Sequence, residues 1–185
     1  SGRVYTIDPN SLPTGKSNPK SFIFFIESNF NEKIIGMFPY ENYLKCIVAS
    51  KFGKGFIADL NEIQTSQKKG KQLFNLKSGD QLLNIMNKIE THIACVSKNS
   101  KLLIFETKNL PTLKKGGGVQ LQKIKKEEFL SDIQTFNLSD GISWKIGSQL
   151  RNETDIDFWI GKRSQVGKKV PRRFNKNIKF YNEQS

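Results

Sequence analysis

The sequence predicts an all-β protein, a propeller-like array of about four small sheets of four strands each, on three observations. Helical periodicity is scarce, whereas short β-rich runs alternate with clusters of Gly, Asn, Asp and Ser. A 47-residue unit repeats: Tyr43–Ile89 shifted by 47 lies over Glu90–Phe136, so that Val48 meets Cys95, Ser50 meets Ser97, Ile63 meets Leu110 and Gly70 meets Gly117. Each copy also keeps one internal order, namely strand, polar turn, strand, a short Ile-Gln or Leu-Pro segment, a Lys/Gly loop, and a further strand. A unit of that length holding about four strands is the size of one propeller blade.

The elements follow in chain order. Gly2-Arg3-Val4-Tyr5-Thr6-Ile7 resembles the second strand of the unit's hairpin, and Asn10-Ser11-Leu12-Pro13 matches Asn109-Leu110-Pro111. The chain therefore starts inside a unit, without that unit's first strand. Phe22–Ile26 is a continuous apolar run, short enough for a strand buried on both faces. Cys46–Ala49 leads through Lys51-Phe52-Gly53-Lys54-Gly55 into Phe56–Ala58, and Ile93–Val96 leads through Lys98–Lys101 into Leu102–Phe105. Both are hairpins whose turn residues tolerate positive φ. Cys46 and Cys95 fall on the same type of strand with the same facing parity, as small core residues rather than a disulfide pair. Ile142–Ile146 is a further strand with Trp144 on it, and alternation over Ile156–Ile160 points Ile156, Phe158 and Ile160 inward and Trp159 outward. The expected organisation is one domain over 1–185, with approximate units 1–40, 43–89, 90–136 and 137–185.

Charge narrows the function. Thirty Lys+Arg against 17 Asp+Glu give a formal charge of 30 − 17 = +13. With 36% hydrophobic residues and 14 Phe, the chain is a folded domain with a strong positive field, not a disordered basic tail. Such a field suits nucleic acid or another polyanion. Of the 30 basic residues only Arg3, Arg151, Arg163, Arg172 and Arg173 are arginine. Lysine is a flexible point charge suited to phosphate, whereas arginine is favoured for bidentate reading of guanine edges. The bias therefore favours backbone contact over sequence readout; a Lys-rich background composition is the alternative. No apolar run is long enough to span a membrane, no charged-then-apolar signal segment opens the chain, and His92 with two Cys cannot build an ordinary zinc site. No phosphate-binding Gly-x-x-x-x-Gly-Lys-Ser/Thr loop, Gly-x-Ser-x-Gly elbow or His-Glu-x-x-His helix is present, so catalysis by this chain alone is not expected.

The basic clusters are the candidate site. Gln67-Lys68-Lys69-Gly70-Lys71 occupies the same place in its unit as Lys114-Lys115-Gly116-Gly117-Gly118, and Thr14-Gly15-Lys16 sits near that place in the first. Glycine lets backbone amides approach a phosphate and lysine neutralises it, so recurrence on successive blades builds a curved basic rim. Solvated hairpin loops are the alternative reading. Lys51 and Lys54 flank the first hairpin turn. Between Gly161 and Ser185 eight cations (Lys162, Arg163, Lys168, Lys169, Arg172, Arg173, Lys176 and Lys179) face only Glu183. Phe174, Phe180 and Tyr181 interleave with them, either docking this tail on the body or decorating a basic extension. The residues assigned to phosphate contact are Lys16, Lys51, Lys54, Lys68, Lys69, Lys71, Lys114, Lys115, Lys162, Arg163, Lys168, Lys169, Arg172 and Arg173, with no catalytic or metal-binding residue.

Tyr43–Gly55, Gly70–Leu82 and the ending Trp159–Arg172 resemble the C-terminal domain of the A subunit of bacterial type IIA topoisomerases. Topoisomerase IV is the nearer match: gyrase-type domains carry a long basic glycine box, and Gln67–Lys71 and Lys114–Gly118 are reduced versions of it. The resemblance implies a β-pinwheel, a propeller-like disc that binds and bends double-stranded DNA around its basic rim without catalysing anything itself. It further implies a topoisomerase IV holoenzyme whose cleaving tyrosine, ATP and Mg2+ lie outside this domain. The implied partners are double-stranded DNA, the N-terminal cleavage domain of the same subunit and, through the holoenzyme, the topoisomerase IV B subunit. The implied location is the cytoplasm, at the nucleoid. The rival expectation is a propeller serving as a protein-interaction platform for an acidic partner.

Overall fold

The computed structural model describes residues 1–13, 24–27, 32–41 and 44–181. Twelve strands and one short helix make up its elements: β1 (Arg3–Val4), β2 (Lys45–Ser50), β3 (Lys54–Asp59), α1 (Leu60–Ile63), β4 (Lys71–Gln72), β5 (Leu82–Met86), β6 (His92–Ser97), β7 (Lys101–Glu106), β8 (Val119–Gln120), β9 (Leu130–Phe136), β10 (Ile142–Ile146), β11 (Gln149–Glu153) and β12 (Lys168–Lys169). They form two four-stranded sheets, ordered β5-β2-β3-β8 and β12-β7-β6-β9, flanked by the two-stranded pairs β1-β4 and β10-β11. Every pairing between these strands is antiparallel. This is the predicted all-β architecture.

Each sheet is completed from the following unit. β2, β3 and β5 receive β8, which belongs to the next copy of the repeat, and β6, β7 and β9 receive β12. β4 pairs in the same way with β1. The pairings are short, with two residue pairs each, yet identically placed. The amide that follows the exchanged strand, in Leu73, Leu121 and Val170, donates to the turn carbonyls of Gly2, Gly53 and Ser100 respectively. Those three carbonyl residues share a positive φ of 74°, 75° and 61°.

Period-two alternation divides each central strand between two junctions. Ile47, Ala49 and Ile57 face Ile93, Cys95, Leu103 and Phe105 across the junction of the two four-stranded sheets. Cys46, Val48, Phe56 and Ala58 face the β1-β4 side with Leu73 and Phe74. Ala94, Val96, Leu102 and Ile104 face the β10-β11 side. Cys46 and Cys95 therefore both look back toward the preceding module, in the parity the repeat requires, and both are free thiols.

Two expected strands are absent. Phe24–Ile26 is a turn rather than part of a strand, with Ile26 buried and Phe24 71% exposed, while Phe22 and Ile23 lie outside the described residues. Just after it, Glu27 N–H donates to the Lys68 carbonyl at 2.8 Å. Residues Asp157–Trp159 form a turn of 3-10 helix, so Trp159 is buried while Phe158 and Ile160 are exposed, the reverse of the expected parity. The cause is the repeat. A helical turn follows the outer hairpin strand of every unit, at Pro9–Ser11, Leu60–Ile63, Thr107–Asn109 and Asp157–Trp159. In the first two, the carboxylates of Asp8 and Asp59 cap it by accepting from the amides of Asn10 and Asn61 at 2.9 Å.

The tail docks. Trp144 stacks at a tilt on Phe174 with ring centroids 5.0 Å apart, and Phe174 meets Phe180 edge-on at 5.9 Å. The indole N–H of Trp144 donates to the Arg173 carbonyl, and that of Trp159 to the Lys169 carbonyl. Tyr181 N–H donates to the Ser143 carbonyl on the edge of β10. The buried Asp132 carboxylate accepts from the amides of Phe180 and Ile133 and lies 3.8 Å from the Lys179 ammonium. Burial nevertheless raises its pKa above the usual carboxylate range, against the lowering effects of Lys179 and the two amides.

Candidate nucleic-acid interface

The glycines of the Lys/Gly loops are explained by strand exchange. Gly70, Gly118 and Gly167 immediately precede β4, β8 and β12, with φ of 65°, 67° and 85°. A Cβ there would come within 2.5 Å of the Val4 carbonyl oxygen, 2.9 Å of the Gly55 nitrogen and 2.4 Å of the Leu102 carbonyl oxygen. Only glycine admits that approach at that backbone angle. The structural partner of Gly70 is thus Gly118, one residue beyond the Gly117 that a uniform shift of 47 selects. The loops occupy equivalent places in successive modules, each leading into an exchanged strand.

Lys68 and Lys69 are exposed in a turn whose carbonyls are held from below: Glu27 N–H donates to Lys68 O, and Arg3 Nε to Lys69 O at 2.8 Å. Lys71 is exposed on β4, its ammonium donating to the Glu62 carbonyl. Lys114 and Lys115 are exposed; Lys114 pairs with Glu62 at 3.1 Å, but with its side chain 77% exposed that pair is weak. Lys162 is exposed, as are Lys168 and Lys169 on β12, with the Lys168 ammonium 4.3 Å above the Phe158 ring. Arg172 and Arg173 lie on the docked tail, Arg172 exposed and Arg173 with its carbonyl held by the Trp144 indole.

Other assigned residues are placed differently. Lys51 is half-buried, its ammonium donating to Gln81 Oε1 at 2.6 Å, and its backbone ties into both four-stranded sheets through Gln81 O and Leu130 N. Lys54 opens β3 and is half-buried. Arg163 is a clamp, with Nε donating to the Asn109 carbonyl at 3.1 Å and one terminal nitrogen to the Gln120 carbonyl at 2.6 Å. Arg3 does the same for Lys69 and Gly70. The guanidinium fork suits two carbonyls at once, so these arginines stitch the loops in place. Lys16 lies outside the described residues.

Lys101 is the cation that sequence reasoning missed. It opens β7 as Lys54 opens β3 and Arg3 opens β1, and 101 − 54 = 47, so the repeat itself was the signal. A basic residue thus starts the outer hairpin strand of three successive modules. At the other end of the sheets, Lys88–Glu90 and Lys108–Glu106 neutralise each other at 2.9 Å.

The two thiols are inert. Cys46 is pushed up to about 12 by burial, with a smaller contribution from the Asp59 charge. Burial raises the Cys95 thiol too, reinforced by Asp132. Neither is a thiolate at neutral pH. Among the described residues no His, Cys, Asp and Glu side chains gather in a metal-holding group, and no helix is long and apolar enough to cross a membrane. What remains is a set of exposed point cations on a β frame.

Comparison with known proteins identifies the frame. The family described as "DNA gyrase C-terminal domain, beta-propeller" matches residues 45–87 and 91–137, the two complete repeats. The DNA topoisomerase 4 A subunit of Rickettsia bellii is 34% identical over 97% of the chain, and that of Caulobacter vibrioides is 32% identical over the same share. The chain belongs to the C-terminal β-propeller domain family of type IIA topoisomerase A subunits. It spans 24% of the length of either of these relatives. The Escherichia coli ParC C-terminal domain superposes with a TM-score of 0.82 at 20% identity, over 95% of this chain and 75% of that one. A DNA gyrase A C-terminal domain gives 0.66 at 15%, over 97% and 60%. These likenesses establish the shared fold, and the topoisomerase IV relatives match the type that the reduced Lys/Gly loops of this domain suggested.

Proposed function

We propose that this domain is the non-catalytic duplex-DNA-binding and bending module of the topoisomerase IV A subunit. One observation supports the reading: lysine-bearing loops recur at the same place in successive modules and expose ammonium groups of which, among the described residues, only that of Lys114 meets a carboxylate. Lysines at such positions bind phosphates at intervals along a duplex that follows the curve, with little regard to sequence. The domain holds and orients one DNA segment while the N-terminal cleavage region of the same subunit, together with the B subunit, performs ATP- and Mg2+-dependent strand passage. The domain itself supplies no cofactor site. Its place is the bacterial cytoplasm, at the nucleoid, and units 1–40, 43–89, 90–136 and 137–185 act there as one domain.

A salt-dependent anisotropy titration against unrelated duplexes tests this. Affinity is expected to fall steeply with salt and alike for all sequences. Replacing Lys68, Lys69, Lys114 and Lys115 by Gln together lowers the magnitude of the log K–log salt slope by roughly 3–4. Salt-insensitive binding, or one strongly preferred sequence, overturns the reading.

A further inference from the structure

The fold holds two lysines directly opposite one another. β12 pairs with β7 so that Lys169 lies across from Lys101. Cross-strand neighbours share a face with Cβ atoms about 4.5–5.5 Å apart, and like charges so placed are destabilising. None of the ion pairs among the described residues involves either lysine.

The corresponding pairs in the two preceding modules are Arg3 with Gln72 and Lys54 with Gln120. There the glutamine closes the exchange: Gln72 Nε2 donates to the Phe74 carbonyl at 2.7 Å, and Gln120 Nε2 to the Gly53 and Gln122 carbonyls at 3.1 and 2.6 Å. In the third module Lys169 stands in place of that glutamine. Gln122, from the adjacent exchanged segment, donates instead to other carbonyls, those of Lys101 at 3.0 Å and Val166 at 2.7 Å. The substitution therefore forfeits local hydrogen bonds and adds repulsion, and an anion seated between the two ammonium groups reverses the sign of the second effect.

We infer that Lys101 and Lys169 form a clamp for a single DNA phosphodiester, a stronger phosphate subsite than the one-cation positions of the other modules. The inference rests on the duplex-binding reading and adds a place on the rim where the DNA is gripped hardest. Lys168, next to Lys169 on β12, points to the other face, its ammonium 4.3 Å from the centre of the exposed Phe158 ring.

Lys169→Gln restores the residue type found at 72 and 120, so the variant is expected to fold. Without DNA its thermal midpoint stays level or rises, while duplex affinity falls and the salt slope loses about one. A lysine with a merely structural role moves stability and affinity in the same direction. Lys101→Gln lowers affinity likewise, and the double variant loses less than the two single losses added together, because the two lysines share one phosphate. Lys108→Gln, already paired with Glu106, is the control. If the wild type binds duplex with a steep salt slope and Lys169→Gln binds identically, the clamp is wrong and the wider reading stands. If the wild type shows no salt-dependent duplex binding, both fall.

Discussion

The junction between the two four-stranded sheets and the junction beneath the C-terminal tail are both apolar but are built by different means. The first is built from repeat strands and filled with buried aliphatic residues, Ile47, Ile93, Leu103, Leu121 and Ile133 among them, along with Phe105 and the Cys95 thiol. The second has a four-stranded sheet on one side and only the two-stranded β10-β11 hairpin with the tail on the other. Trp144, Trp159, Phe174 and Phe180 cover the other, with both indole N–H groups tied to tail carbonyls and Asp132 tied to a tail amide. Where no further strand exchange supplies backbone pairing, aromatic side chains with a polar end substitute for it, since they bury area and still fix orientation. The first junction is expected to open only with the whole fold, the second on its own.

Truncation at each junction separates these modes and has the largest expected effect. Phe105→Ala leaves a cavity in the strand-built junction and is expected to cost about 3–5 kcal/mol of global stability by denaturant unfolding. Phe180→Ala is expected to leave the unfolding midpoint of the central sheets nearly unchanged while amides of β10 lose hydrogen-exchange protection. Equal, global losses for both variants would show that the two junctions open together.

The strand exchange that distinguishes the interior is broken at one atom. Gly118→Ala places a Cβ against the Gly55 backbone at positive φ, and an expected cost of about 1–3 kcal/mol follows from strain that no side-chain movement relieves. Gly147, in the β10-β11 turn, has φ 59° but nothing within 4 Å of its virtual Cβ, so Gly147→Ala is expected to cost less, about 1 kcal/mol. Thermal melts of the pair compare close approach with backbone angle alone.

What the sequence made legible, and what it hid, follows the same division. Hairpin strands, their facing and the cysteine parity were readable because alternation encodes them residue by residue. The 47-residue period located the loops. Strand exchange was not readable, because a two-residue strand such as Val119–Gln120 carries no period and its partner Lys54–Gly55 is remote in sequence. Neither was the reversal of Phe158 and Trp159, since a three-residue helical turn inside an alternating run imitates a strand. Lysines were found as clusters, while Lys101, isolated at the head of a hydrophobic strand, was overlooked although the period pointed to it. Arg163 looked free only because its carbonyl partners, on Asn109 and Gln120, belong to the preceding unit.

The smallest expected effect is a pH dependence confined to the tail junction. Burial raises the Asp132 pKa in the folded state above its unfolded value, so the folded chain binds this proton more readily than the unfolded one. The sign follows: the stability contributed by this group is complete below the ordinary carboxylate pKa and declines as pH rises through the raised folded value. Hydrogen exchange of β10 and tail amides, corrected for intrinsic rates, is expected to show greater protection on acidification from neutral pH, opposite to the usual trend for a paired surface carboxylate. Asp132→Asn removes the titrating group while keeping one acceptor, and this gain on acidification disappears. Protection in the junction between the four-stranded sheets is not expected to share the trend, because Asp132 sits on the tail-facing side of β9, where the Phe180 amide holds it, while its neighbour Ile133 faces the sheet junction. An identical gain in the Asn variant would place the titrating group elsewhere and leave Asp132 as a hydrogen-bond acceptor alone.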